Sequence, residues 1–384
     1  MVGSATSREG QGIERAPRDR VRPARCRRPP CPGTDARDTQ RAGGPREQGA
    51  WGLIDTEGLP IRTEKSAYVF DYPMAEDLAK KQRSIFWTAE EIPVENDKQD
   101  FLVNMTDAEQ AAVKTTLKLF TIYELILGGE VWGDRIFHAF PRPEVQMMAN
   151  AFSFAELNMH APFYAKLNKV LMIDTEEFYD SYKNDPVLAE RIQFVWDAIA
   201  DEDLLYALSV FTLMENCVLY SNFAFLKHFQ SGGKNLLQNV ISGINFSARD
   251  ENLHATGGAW LFNTTLDEYA GTVPADKFEA ERDDLFARVR GVAEHLYAHE
   301  ARIVEMLFDH GPIAGIDQAD LETFVRSRID MTLENMRMEP LFNVEANPIA
   351  EWFYSGINGT QFHDFFQVTG NEYNRNIGET EFSF

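Results

Sequence analysis

From Trp51 onward the chain alternates between long segments with apolar residues every three or four positions and short breaks rich in Gly, Pro, Asp and Ser. That spacing is helical. Leu102 to Leu127 is the first long segment. Thr106, followed three residues later by Glu109, predicts a capping box near its start, and Gly128-Gly129 predicts its end. Pro141 and Pro143 open a second helix towards Val170. Asp185-Pro186 opens a third, with a break expected near Asp201, continuing to His228 and closed by Ser231-Gly232-Gly233. Asn235 to Phe262, Asp276 to His310 and Asp317 to Met338 follow. Alternating β-branched runs are nearly absent, and no repeat of roughly 20–50 residues is visible. The pattern predicts an all-α bundle of long helices.

Four of these segments carry an acid where a buried stripe should be apolar. Glu124 sits in LFTIYELIL, Glu156 in AFSFAELNMH, Glu215 in SVFTLMENCVLY and Glu251 in NFSARDENLHATGGAWLF. A buried carboxylate is costly unless it is paired or holds a metal. One such residue is ordinarily an edge position or a core hydrogen-bond acceptor; four in separate helices ask for a common cause. Glu251 and His254 form Glu-x-x-His, which places both on one helical face, and Glu156 and His160, four apart, also share a face. Two helices giving a Glu and two giving a Glu–His pair make the ligand set of a ferritin-like dinuclear carboxylate bundle. Carboxylate oxygens with two imidazoles suit iron or manganese. His138, His228, His295, His299, His310 and His363 have no such companions and are expected to be surface or structural residues.

Composition narrows the setting without adding chemistry. The net charge of −23 over 384 residues argues against a phosphate-tracking nucleic-acid binder. No uninterrupted apolar run reaches the roughly 18 residues of a membrane span. Three cysteines suit a reducing compartment, which makes the cytoplasm the expected location. The charge is unevenly distributed: residues 1–50 hold eleven Arg against six acids, a net +5, so the remainder carries −28. This Arg/Pro/Gly-rich extension lacks core-forming residues and is expected to be disordered. Its Cys26 and Cys31 lack the second ligand pair that a zinc site needs.

The chain resembles the small (beta, R2) subunit of class I ribonucleotide reductase from about residue 65 to the C-terminus. The likeness rests on KQRSIFWTAEEI at Lys81 to Ile92, ARDENLH at Ala248 to His254, ANPIAEWF near residue 350 and DFFQVTGNEY near 370. It implies a ferritin-like bundle over 51–366 and a flexible tail over 367–384 that binds the large (alpha) subunit. It also implies six metal ligands, Glu124, Glu156, His160, Glu215, Glu251 and His254, holding two iron ions, two manganese ions or one of each. By the same resemblance Trp87 lies on the radical path, Asp250 is a catalytic residue beside the ligands, and Tyr373 passes the oxidising equivalent across the interface. The implied activity is generation and storage of that equivalent for reduction of ribonucleotides to deoxyribonucleotides. A homodimer and a flavoprotein or thioredoxin-type reductant are the further partners implied. A stand-alone ferritin-like oxidase or oxygenase shares the ligands but has no use for Trp87 or an aromatic tail; an iron store needs neither. Cys217 stands alone on an apolar helix, where a buried free cysteine is ordinarily a small hydrophobe, and the resemblance implies that nucleotide binding and the reducing thiols reside in the large subunit.

Two departures from the family pattern matter. The first ligand is most often Asp in the family and is Glu124 here. The first Glu–His pair is spaced by four instead of three, so a one-residue π-bulge is expected between Glu156 and His160, aided by Pro162, which cannot donate to the Asn158 carbonyl. Counting from His160 puts the radical tyrosine at Tyr164; counting from Glu156 puts the position at Phe163. Tyr164 is favoured because nothing need be inserted after His160. Phe211, Leu219, Phe223 and Ser247 are the expected pocket walls.

Overall fold

The computed structural model describes residues 54–355; the 1–50 extension with Cys26 and Cys31, His363, Tyr373 and the 367–384 tail lie outside them. Among the described residues there is no β-strand. Helix α1 is Pro73–Ser84, and Trp87 lies in the connection that follows it. Helix α2 is Asp107–Ile126. Its capping box forms: Thr106 Oγ accepts from the Glu109 amide at 3.2 Å, and Glu109 Oε2 accepts from the Thr106 amide at 2.8 Å, an arrangement worth about 1 kcal/mol.

The glycine pair does not end α2. The backbone widens into a π-helical stretch, Leu127–Ile136, that runs through both glycines. The reason is close approach. A Cβ on Gly128 would sit 2.6 Å from Glu156 Cβ and 2.8 Å from Leu157 Cγ, so glycine here lets α2 press against the Glu156 turn.

Helix α3 (Pro143–Ala155) and helix α4 (Ala161–Val170) are one rod joined by a π turn over Glu156–His160. The expected widening is therefore present. Helix α5 (Pro186–Ala200) is capped by Asp185, whose carboxylate accepts from the Val187 and Leu188 amides. Asp201 turns extended at the expected break. Asp203 then caps α6 (Leu204–Leu213), which passes through a π turn at Met214–Val218 into α7 (Tyr220–Lys227). Helix α8 (Gln238–Ala270) is a regular rod and runs eight residues past the expected end at Phe262. Helices α9 (Ala275–Leu307), α10 (Gln318–Asn335) and α11 (Ala350–Ser355) complete the described chain.

Helix α1 packs on α3, α8 on α6, and α9 on α10, while α2 lies against α4. The stretch Leu204–Gln230 is long and apolar enough by composition to cross a membrane, but 94% of its most apolar window is buried inside the protein. It is the central core helix. Nearly every residue of α6 and α7 is buried, and Glu215 stands in the middle of that apolar column.

Candidate metal centre

Glu124, Glu156, His160, Glu215, Glu251 and His254 are all fully buried and converge at one place. Their ligand atoms form two overlapping groups, each with all atoms within 4.8 Å of one another: Glu124, Glu156, His160 and Glu251; and Glu156, Glu215, Glu251 and His254. Glu156 and Glu251 belong to both. Two four-ligand groups sharing two carboxylates fit a dinuclear site, to which Glu156 and Glu251 would each offer oxygens on both sides.

The π turns make this convergence possible. On regular α8, Glu251 and His254 lie three apart and reach the same centre. On the α3–α4 rod the extra residue is taken up by the widened turn, so Glu156 and His160, four apart, also meet, with His160 Nδ1 3.1 Å from Glu156 Oε2. Glu215 projects from the second π turn and Glu124 lies on the last turn of α2 before the third.

Both histidines turn Nδ1 inward. His160 Nδ1 lies 3.3 Å from Glu124, 3.1 Å from Glu156 and 3.1 Å from Glu251. His254 Nδ1 is 2.6 Å from Glu156 Oε1 and 3.3 Å from Glu251 Oε2. Although close, His254 Nδ1 and Glu156 Oε1 are not aligned as a hydrogen bond, and Glu124 Oε1, Glu215 Oε2 and both Glu251 oxygens likewise lack a hydrogen-bond partner. Buried carboxylate oxygens are rarely left so. Lone pairs aimed at a common point without donors fit cations.

The electrostatics give the same answer. Burial and the neighbouring Glu156 push Glu124 well above the usual carboxylate range; burial, Glu251 and Glu156 do the same to Glu215. Burial opposes the charge on Glu156 too, but His160 and His254 hold it well below that range. Burial also opposes imidazolium, yet Glu156 raises His160 well above its ordinary value, and Glu156 and Glu251 raise His254 to about 9. Protons are the only positive charge these six residues can supply themselves, and the buried carboxylates compete for them.

Each outer histidine nitrogen has a polar partner. His160 Nε2 lies 3.2 Å from Asp250 Oδ2, and Trp87 Nε1 donates to that same oxygen at 2.8 Å. The Trp87 ring stacks on His160 with centroids 5.7 Å apart. Arg249 holds Asp250 from the other side at 3.3 Å and donates to the Ile85 carbonyl at 2.7 Å, which fixes the segment carrying Trp87. His254 Nε2 meets Gln82 Oε1 at 3.2 Å. Such outer contacts set which ring nitrogen is free for a metal.

Tyr164 is fully buried with its ring against Phe120 at 4.7 Å; burial first, then the charge of Glu124, raises its phenol well above the ordinary value. Its hydroxyl and that of Ser247 are both buried without a hydrogen-bond partner. Phe163 points elsewhere: its ring lies edge-on to Trp87 at 5.7 Å and fills the space above Gly243. Phe223 packs on Phe120, and Phe211 and Leu219 are buried in the core. Two contributors were missed in the sequence. Trp132 donates to Glu215 Oε1 at 2.5 Å, and Gln82 orients His254. Nothing local distinguishes either, because each meets its partner from a distant segment. Cys217 is buried beside Thr332, its thiol raised to about 12 by burial. It is a core residue.

Fold and site together define a ferritin-like bundle built around two metal positions. The family model for the ribonucleotide reductase small chain matches residues 65–348, and the chain belongs to that family. Among curated relatives it is 27% identical to the ribonucleoside-diphosphate reductase subunit beta of Bacillus subtilis over 59% of this chain and 67% of the relative. It is 24% identical to the subunit beta of Halalkalibacterium halodurans over 79% of this chain and 86% of the relative. The fold is similar to that of the dimanganese(II)-NrdF of Streptococcus sanguinis, with TM-score 0.65, 20% identity and coverage of 77% of this chain and 99% of that one. It is equally similar to the ribonucleotide reductase R2 subunit from Clostridium botulinum, with TM-score 0.65, 19% identity and coverage of 75% and 88%. The chain is thus a small, radical-generating subunit of ribonucleoside-diphosphate reductase, and a large subunit is its counterpart.

Proposed function

We propose that Glu124, Glu156, His160, Glu215, Glu251 and His254 hold two ions, iron, manganese or one of each, and that Tyr164 stores the oxidising equivalent as a tyrosyl radical. The observation that carries this reading is the pair of four-ligand groups sharing Glu156 and Glu251. When bound, such a metal pair activates oxygen and supplies the oxidising power needed to take an electron and a proton from a phenol. The protein contributes the rest. Apolar α6 and α7 exclude water from the site. Trp132 and Gln82 fix Glu215 and His254. The line Trp87–Asp250–His160 joins the centre to the segment after α1 through hydrogen bonds, a route along which Asp250 holds the Trp87 indole proton.

In this reading residues 51–366 are the metal-binding body, 1–50 an extension without part in the chemistry, and 367–384 the segment that engages the large subunit, with Tyr373 carrying the equivalent onward. A homodimer in the cytoplasm, re-reduced by a flavoprotein or thioredoxin-type partner, completes the proposal. No stand-alone oxidase reading is favoured, since the family is that of the reductase small chain.

The test is spectroscopic. Protein loaded with iron or manganese and exposed to oxygen should show a metal absorption band and a tyrosyl signal by electron paramagnetic resonance. Tyr164→Phe should lose the tyrosyl signal and keep both metals. Glu251→Ala and His254→Ala should each lose at least one ion; full metal content in both would mean that the ligands are misassigned.

A further inference from the structure

A polar cavity of about 350 Å3, to which none of the six candidate ligands contributes, is lined by Lys227 at the end of α7, Ser231 beyond it, Gln238, Ser242 and Asn245 on the first two turns of α8, and Trp352 on α11. No acid lines it, although the chain as a whole carries −23. Lys227 is 4% exposed. An ammonium has three protons to donate. Asn245 Oδ1 takes one, and the Phe353 ring face lies 4.7 Å from Nζ. Neither carries a charge. Among the described residues no carboxylate offsets this ammonium, and burial alone acts on it, pushing its pKa down to about 7. A buried cation without a counter-charge is destabilising, and an anion entering the cavity would remove that penalty.

We propose that this cavity is a binding site for a small oxyanion, a phosphate or carboxylate group, with Lys227 supplying the charge and Ser242 and Gln238 the neutral donors. Hydrogen bonds between an ammonium and an ionised oxygen are the strong kind, and hydroxyl and amide donors complete the shell around the remaining oxygens. The occupant also bears on α11. That helix carries Phe353 against Lys227 and Tyr354, whose hydroxyl accepts from buried Arg328 at 3.0 Å. It is the last described element before the tail, so a bound anion steadies the point from which the tail departs.

The experiment titrates the metal-loaded full chain with inorganic phosphate and, separately, with acetate by isothermal calorimetry, beside Lys227→Met of equal metal content. Saturable binding of at least one anion is expected, weaker by roughly tenfold or more in the variant, with slower hydrogen exchange over Ala350–Ser355 when the anion is present. Phosphate binding without acetate binding would identify the occupant as a phosphate group, and the reverse a carboxylate. Should Lys227→Met not fold, Ser242→Trp, at an exposed rim position, closes the cavity without touching the lysine and should cause the same loss. The proposal is overturned by no saturable binding of either anion, or by equal binding in wild type and in whichever variant folds.

Discussion

A histidine in this chain takes its character from the groups that meet its two ring nitrogens. His160 and His254 turn Nδ1 to carboxylates and have raised pKa values. His228, equally buried, donates Nδ1–H to the Phe225 carbonyl, while its Nε2 accepts from Lys234 at 3.2 Å. Burial holds its pKa down to about 4, so it stays neutral in the folded protein. The consequence for stability has a definite sign. Below pH 6.5 the unfolded chain takes up a proton at His228 that the folded chain refuses until about pH 4. Stability therefore falls as pH drops through that window and levels off beneath it. At about 1.4 kcal/mol per unit, the loss from this residue reaches at most about 3 kcal/mol. Chemical denaturation of metal-free wild type and His228→Gln between pH 7 and 4 measures it: the stability difference should shrink across the window in favour of the variant, and parallel curves would rule the residue out. The expectation that His228 is structural agrees with this environment; that it would be the buried acceptor of a lysine was not readable. Glu251 and His254 were legible because a helix converts three positions into one shared face. Trp132 and Gln82 were not, because their partners Glu215 and His254 lie 83 and 172 residues away in the chain and only packing brings them together.

At the scale of elements, three of the four ligand-bearing rods contain a π-helical turn at or just after the ligand, and only α8 is regular. The four-residue spacing of Glu156 and His160 announced one of these turns, because two ligands of a common centre had to be reconciled with it. The turn at Met214–Val218 had no such marker, having a single ligand. The composition of Gly128-Gly129 predicts a helix end, whereas the small size of Gly128 serves the approach of Glu156 and Leu157. Capping residues were legible where their partners are local, as with Thr106, Asp185 and Asp317. The π turn at Glu156–His160 leads to a sharp prediction. An extra residue stored in a π turn can be removed by converting that turn to α, leaving both flanking helices in phase. Asn158 is exposed within the turn. Its deletion gives Glu-x-x-His spacing, as on α8, and should preserve metal content with a melting temperature lowered by only a few degrees. Deletion of Ala151, in regular helix, rotates everything beyond it by about 100° and should abolish metal binding. Equal damage from the two deletions, measured by metal analysis and thermal unfolding, would show that the turn is not a stored insertion.

At the scale of the whole molecule, charge and chemistry are segregated along the chain. The first 50 residues are basic, the remainder carries −28, and the six candidate metal ligands lie between Glu124 and His254. The oxidising equivalent of the proposed centre must leave a place where all six candidate ligands are fully buried, and among the described residues the one cysteine, Cys217, is buried with its pKa raised to about 12. As a small chain of its family it pairs with a large counterpart. The proposed means of engagement is the terminal sequence QVTGNEYNRNIGETEFSF, which ends in Phe382 and Phe384 preceded by Glu379 and Glu381. Aromatic anchors flanked by charge on an otherwise polar segment suit docking into a partner's groove. Two variants separate docking from transfer. Removal of residues 379–384 should weaken large-subunit binding by roughly tenfold or more, about 1.4 kcal/mol, with metal content unchanged. Tyr373→Phe should bind the large subunit as wild type does and retain its metals, yet fail to support nucleotide reduction, because phenylalanine has no phenolic proton to release. Binding assays and turnover on the same preparations decide it. Turnover at the wild-type rate by Tyr373→Phe would take that residue off the route, while loss of turnover together with loss of binding would make it an anchor and not a carrier.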